Sequence, residues 1–199
     1  MKKFLLTLPI ILLATMILTG CSDSILRKED PSANTTTLRL DNSALSIDIP
    51  FDLKNETLTE ENLGEVAPYI KKVVMKSADE SDTSILIIGT VYDKNKIEKE
   101  FGATFEPDLE GALQGAVRNL QNVQNTEPIR DIRLNGLQGK EINGTLKIKF
   151  KGDSKLSHAL FRMAALAKGS EMWMVCVIRK PGDDTIKISN KIFKSIHLD

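Results

Sequence analysis

The sequence predicts an α+β fold in which helices pack on an antiparallel β-sheet. Three observations favour it: short segments carry apolar residues at every second position, polar turns join them, and one longer segment has helical periodicity. Because strands outnumber helices and are joined mostly as hairpins, we expect antiparallel pairing. Residues 37–199 suffice for a single domain with its own core.

Two hairpins are predicted in the first half of this domain. Residues 38–40 should pair with residues 45–49, and residues 69–75 should pair with residues 85–92 across a polar turn. Residues 58–66 fit either a loop or a short helix.

The helical periodicity covers residues 107–123. Pro107 suits the first turn of a helix, and Asp108 and Glu110 complement its positive end. Apolar residues recur at helical spacing, namely Leu109, Ala112, Leu113, Ala116, Val117 and Leu120. This apolar face should pack on the sheet.

Four further strands are predicted at residues 129–134, 137–150, 159–167 and 172–178. Asn135-Gly136 favours a tight type I′ turn between the first two strands, and residues 168–171 should form the turn before the last. That last strand is apolar on both faces, which predicts an interior position in the sheet. A final helix should begin near Asp183 or Asp184, one of which would cap it.

Residues 1–20 have the parts of a secretory signal peptide. Lys2 and Lys3 form a positively charged start, and a mostly apolar run follows at positions 4–18. That run is shorter than the roughly 20 apolar residues that a transmembrane helix needs. We therefore expect a cleaved signal rather than a permanent membrane span.

The signal ends in Leu18-Thr19-Gly20-Cys21, which resembles the lipobox of bacterial lipoproteins. The resemblance implies cleavage after Gly20 and attachment of acyl chains such as palmitate to Cys21, which would anchor the protein to a membrane. It implies the cell envelope: the outer membrane, facing the periplasm, in a Gram-negative cell, or the outer face of the plasma membrane in a Gram-positive one. The alternative is a secreted protein with a chance cysteine at its cleavage site.

Residues 21–36 are polar and lack periodicity, so they are expected to form a lipidated N-terminus and a flexible tether spanning roughly 20 Å root-mean-square. Removing residues 1–20 takes away two of the 27 basic residues and none of the 27 acidic ones, which leaves a formal charge of −2. A nearly neutral chain without a cluster of basic residues is not expected to bind nucleic acid.

Several features of the domain occur in a characteristic order. The opening strand ends in Ile49-Pro50, an amphipathic helix lies in mid-chain, a glycine-bearing hairpin spans residues 134–139, and a strand at 173–177 precedes a helix that closes on residues 193–196. In this order, residues 37–199 resemble the PsbP-like group, which includes the oxygen-evolving-centre subunit PsbP, a Ran-binding eukaryotic relative and envelope lipoproteins of the DcrB type. The resemblance implies a sheet with helices packed on it and an accessory or partner-binding role rather than catalysis.

Two residues of the last strand could carry chemistry. Cys176 is the only thiol left once Cys21 is acylated, which excludes an intramolecular disulfide. It could act as a nucleophile or a redox thiol, but its valine neighbours favour a core position. Trp173 could stack on a ligand, and core packing is again the favoured interpretation.

No metal site is expected. His158 and His197 lack the spacing of metal ligands and are interpreted as surface residues. Asp79, Glu80 and Asp82 could bind a hard cation, but the central glycine and closing glutamate of a calcium loop are absent, so a solvated turn is favoured.

The expected function is that of a noncatalytic envelope lipoprotein whose domain binds another protein or supports an assembly. A second hypothesis is a small molecule or ion bound in a pocket between helix 107–123 and the sheet. An enzyme is not expected, because no nucleophile can be paired with a base and the glycine-rich motifs of hydrolases and nucleotide-binding proteins are absent. No cofactor is expected, and the identity of the partner stays open.

Overall fold

The computed structural model describes residues 34–58 and 63–199. The predicted signal peptide, Gly20, Cys21 and most of the predicted tether lie outside these residues. The described chain forms two antiparallel sheets and three α-helices. This is an α+β fold, as the alternating pattern predicts.

The smaller sheet contains β1 (Asn34–Arg39), β2 (Ala44–Ile49) and β11 (His197–Leu198). Its order is β1-β2-β11. The pairing of β1 with β2 confirms the first predicted hairpin, with Leu38 opposite Leu45.

The larger sheet contains β3 (Lys54–Glu56), β4 (Ile70–Asp79), β5 (Thr83–Tyr92), β6 (Val123–Thr126), β7 (Arg130–Leu134), β8 (Leu137–Ile148), β9 (Ser157–Lys168) and β10 (Glu171–Arg179). The order is β3-β4-β5-β10-β9-β8-β6, and β7 also pairs with β8. The β4–β5 hairpin and the four later strands are confirmed. Asn135 and Gly136 both have positive φ, as a type I′ turn between β7 and β8 requires.

Helices cover the two faces of the larger sheet. On one face lie α1 (Lys94–Phe101) and α2 (Leu109–Asn119), and on the other lie α3 (Asp183–Ser195) and the smaller sheet. A 3₁₀ helix, Gly64–Tyr69, precedes β4. Among the helices of the described residues, none is both long and apolar enough to cross a membrane.

Strand β10 lies near the middle of the larger sheet and is buried on both faces. Met174 and Cys176 belong to the core beneath α1 and α2, whereas Trp173 and Val175 belong to the core beneath α3. The predicted interior position is confirmed, because β5 and β9 flank β10 and helices cover both of its faces.

Several boundaries differ from the prediction. Residues 34–36 belong to β1 and not to the tether, since Thr36 lies opposite Ile47 of β2. Helix α2 begins after Asp108, whose carboxylate accepts a hydrogen bond from the Gly111 N–H at 2.9 Å. It is shorter than residues 107–123 because β6 already begins at Val123. Helix α1 and the short strands β3, β6 and β11 are not predicted from the sequence.

The cap of α3 is also different. The N-cap is Gly182, and neither Asp183 nor Asp184 caps the helix. Both aspartates lie in the first turn, where their negative charge interacts favourably with the positive end of the helix dipole. Thr185 Oγ1 instead shares its single proton between the carbonyl oxygens of Lys180 at 2.7 Å and Gly182 at 2.9 Å. The hydroxyl therefore satisfies carbonyl groups just before the helix.

Candidate binding surfaces

An open groove of about 580 Å³ lies between α3 and β2. Six residues line it: Asp48, Lys187, Asn190, Lys191, Lys194 and Ser195. With three lysines and one aspartate, the lining carries a formal charge of +2. We call this surface the α3 groove, and its chemistry suits anionic groups.

The amphipathic pattern of α3 produces one wall of the groove. Thr185, Ser189, Ile192 and Phe193 form the buried side of the helix. The three lysines are spaced by four and three residues, so they share the opposite, exposed side. On β2, Asp48 is only half-buried between the fully buried Ile47 and Ile49, because side chains alternate along a strand.

Hydrogen bonds hold the two walls together. The Asp48 N–H donates to Ser195 Oγ at 2.8 Å, and Ser195 Oγ donates to the Ile192 carbonyl at 2.8 Å. Thr35 Oγ1 donates to Asp48 Oδ1 at 2.7 Å. The last turn of α3 is therefore fixed against β2, next to the point where the described chain begins.

A second surface lies on α1, on the other face of the larger sheet. Phe101 is 39% exposed, and its ring centre lies 5.6 Å from that of Tyr69. The Tyr69 hydroxyl donates to Glu100 at 2.8 Å, which raises the pKa of the phenol, and Lys96 Nζ lies 5.4 Å from the tyrosine ring centre. We call Tyr69, Lys96, Glu100 and Phe101 the aromatic patch.

Cys176 and Trp173 are core residues, as their neighbours predict. Cys176 is 5% exposed, and burial raises the pKa of its thiol to about 12, so the thiol stays protonated at neutral pH. Trp173 is fully buried, and its Nε1 donates to Ser43 Oγ at 2.9 Å. The structure does not bring either residue into the groove or the aromatic patch.

The two histidines lie on the surface, as predicted, and on separate strands. His197 Nε2 is 2.7 Å from Asp199 Oδ1. Asp79, Glu80 and Asp82 lie where β4 turns into β5, and the Asp82 carbonyl accepts a hydrogen bond from the Lys180 N–H at 2.8 Å. Over residues 34–58 and 63–199, no group of three or more histidine, cysteine or acidic side chains could hold a metal ion.

The contact between α2 and the sheet is filled by side chains. Ala112, Leu113 and Ala116 are buried there and share a core with Phe161 and Met163 of β9. The small-ligand hypothesis placed its pocket at this contact. The open groove found in the described residues lies beside α3 instead.

Glu171 is a buried acid in a segment for which the sequence predicts a turn. It is the first residue of β10 and is 0% exposed. One carboxylate oxygen accepts from the Asn42 N–H at 2.7 Å and from Asn42 Nδ2 at 3.1 Å, and the other accepts from Ser43 Oγ at 2.5 Å. Because Ser43 also accepts the Trp173 indole N–H, this network connects the β1–β2 turn to the larger sheet.

Glu141 is a second buried acid, and it was not singled out from the sequence. It lies on β8 and is 0% exposed. Its carboxylate accepts from Arg130 Nη2 at 2.5 Å and from Arg162 Nε at 2.6 Å. The Arg162 guanidinium also lies 4.0 Å from the ring centre of Phe193. A glutamate between a lysine and an isoleucine was the only sequence signal, and it did not reveal these partners.

Comparison with known proteins shows no family for this chain. No family model matches the sequence, and no curated protein matches it. Three solved structures show weak likeness. A Bacteroides thetaiotaomicron protein has a TM-score of 0.39 at 6% identity; the match covers 78% of this chain and 45% of that one, so it spans less than half of that protein. LpqN, described as involved in cell envelope biogenesis of Mycobacterium tuberculosis, has a TM-score of 0.40 at 17% identity over 84% of this chain and 91% of its own. A Pseudomonas aeruginosa protein of unknown function has a TM-score of 0.35 at 9% identity over 81% of this chain and 94% of its own.

All three scores are too low to support an inference about this chain. The PsbP-like resemblance therefore stays a prediction.

Proposed function

We propose that the protein is a lipid-anchored, noncatalytic domain of the cell envelope that binds another envelope protein. One observation carries the noncatalytic part: the buried reactive groups Glu141, Glu171 and Cys176 each serve the fold. A catalytic site needs a nucleophile and a base held together where a substrate can reach both. Here Glu141 is hydrogen-bonded to two arginines, and Glu171 is hydrogen-bonded to a serine and an asparagine. The Cys176 thiol is buried and protonated.

The anchor in this proposal comes from the lipobox resemblance. Lipid on Cys21 would keep the domain at the outer membrane of a Gram-negative cell or at the outer face of the plasma membrane of a Gram-positive one. The described domain then works as a binding module held near the bilayer.

The aromatic patch supports a protein as the partner. Aromatic side chains are enriched in protein interfaces, and tyrosine is frequent among the residues that dominate binding energy. Phe101 and Tyr69 form such a pair with a positive and a negative side chain beside them. We expect the partner to bury the Phe101 ring.

A small anionic molecule in the α3 groove is the alternative. Three lysines line the open α3 groove, so the ligand of this alternative carries negative charge. The ligand would then bind beside α3 and not between α2 and the sheet.

Photo-crosslinking in the native envelope tests the proposal. A photoreactive phenylalanine analogue at position 101 of the full chain should give one discrete crosslinked protein, identified by mass spectrometry. The same analogue at Leu156, which is 56% exposed between β8 and β9, is the matched control and should not.

Crosslinking at both positions equally, or at neither, would contradict the partner surface. Saturable binding of a small anion that Lys191→Glu and Lys194→Glu abolish, with no crosslinked protein, would favour the alternative.

A further inference from the structure

The exposed side of α3 carries a row of lysines that runs along the helix. Lys187, Lys191 and Lys194 are all exposed. Lys187 Nζ lies 3.3 Å from Asp184 Oδ1, whereas Lys191 and Lys194 form no ion pair with any residue of the described ranges. Lys191, Lys194 and Asp48 of β2 lie at the end of this row near Ser195, which therefore keeps a net positive charge.

The described chain begins beside that end of the helix. Asn34, the first described residue, is paired with Ile49 of β2. One residue further along β1, Thr35 donates to Asp48, and the Asp48 N–H donates to Ser195 in the last turn of α3. A lipid anchor on the preceding chain would therefore tether the domain to the membrane at this point.

The length of the preceding chain limits how far the domain can move from a membrane. Residues 22–33 lie between the proposed lipid anchor, Cys21, and Asn34. Even fully extended, a segment of this length reaches only about 45 Å. The tether therefore limits the distance between the headgroups and the end of the lysine row near Ser195.

We propose that the lysine row of α3 contacts anionic phospholipid headgroups and orients the anchored domain on the membrane. The inference rests on the proposed anchoring through Cys21. Each lysine near an anionic leaflet favours the contact by roughly fivefold, so two or three lysines bias the orientation although they could not anchor the protein alone. Because α1 lies on the other face of the larger sheet, the aromatic patch then faces away from the bilayer, where a protein can reach it.

Lysine acetylation of the full-length lipidated protein in vesicles tests this orientation. One vesicle type is pure phosphatidylcholine, and the other contains about one quarter phosphatidylglycerol. On the anionic vesicles, acetylation of Lys191 and Lys194 should slow at least about threefold relative to the neutral ones. Raising salt from roughly 0.05 M to 0.5 M should remove the difference, because the Debye length becomes shorter than a lysine side chain.

The exposed lysines of α1, Lys94, Lys96 and Lys99, provide the internal control, since their acetylation should not change between vesicles. The double variant Lys187→Glu, Lys191→Glu keeps Lys194 as a reporter. In this variant, anionic vesicles should no longer slow the acetylation of Lys194. In the matched variant Lys94→Glu, Lys99→Glu, anionic vesicles should still slow the acetylation of Lys194.

The inference would be overturned if Lys191 and Lys194 were acetylated at the same rate on neutral and anionic vesicles, whether that rate is fast or slow. Slow acetylation of Lys191 and Lys194 in native envelopes but not on anionic vesicles would contradict the inference, because it would mean that the lysine row contacts an acidic protein and not lipid. If the protein fails to stay on vesicles at all, the anchoring is wrong, and the inference fails with it. Retention without protection refutes the orientation alone.

Discussion

Replacing Glu171 should destabilise the domain more than replacing any exposed acid. The carboxylate is fully buried and accepts hydrogen bonds from Asn42 N, Asn42 Nδ2 and Ser43 Oγ. Asn42 is exposed and can turn to water, but Ser43 is buried and cannot. A hydrogen bond to a charged group contributes about 1.5–3 kcal/mol, so Glu171→Ala should lower the free energy of unfolding by about 3 kcal/mol.

Glu171→Gln separates charge from packing. The amide keeps nearly the same volume but replaces one acceptor oxygen with a donor, so at least one hydrogen bond is lost and the free energy of unfolding should fall by about 1.5–2 kcal/mol. The control is Glu110→Ala, because the Glu110 side chain is 51% exposed and lies 3.5 Å from Lys140. An exposed pair of this kind contributes at most about 1 kcal/mol.

Urea unfolding of the chain from Ser22 onward measures these differences, with the single tryptophan, Trp173, as the fluorescent probe. With a slope of about 2 kcal/mol per molar urea, Glu171→Ala should shift the midpoint down by about 1.5 M. A midpoint equal to that of Glu110→Ala would show that the Glu171 network does not hold the β1–β2 turn on the sheet, and the reasoning would be refuted.

Three further predictions concern the anchor, the thiol and a glycine. Cys21→Ala in the full chain should abolish lipid labelling and release the protein from the membrane fraction; unchanged retention would exclude lipid as the main anchor. The Cys176 thiol, whose pKa burial raises to about 12, should resist alkylation at pH 8 in the folded protein and react after unfolding; fast reaction in the folded state would contradict its burial. Gly89→Ala should destabilise the domain by about 1–3 kcal/mol, because the added methyl would lie 2.5 Å from Trp173 Cζ3; a melting temperature like that of the unmodified protein would refute this contact.

The sequence predicted those elements whose partners are close along the chain. Alternating apolar residues predicted the β1–β2 and β4–β5 hairpins, and the apolar residues on both faces of β10 predicted its interior position. These patterns are local, because each reflects the burial of one strand face. Helix α1 was missed because Ile97 is its only buried residue, so the segment has no apolar stripe.

The buried acids and the groove depend on contacts that are distant in sequence. Glu171 pairs with Ser43 across 128 residues, so nothing next to it marks it as buried. The spacing of the lysines on α3 is visible in the sequence, but the opposing wall comes from Asp48 of β2. Only the tertiary structure brings these two segments together.

The most direct test of an anchored, partner-binding domain is the yield of crosslinked partner with and without the anchor. The photoreactive analogue at position 101 is placed in the native chain and in a Cys21→Ala form that is exported by a cleavable, non-lipoprotein signal at matched abundance. A short tether supplies about millimolar effective concentration, so release should lower the crosslinked fraction at least about tenfold. An equal fraction from the released and the anchored protein would contradict the account.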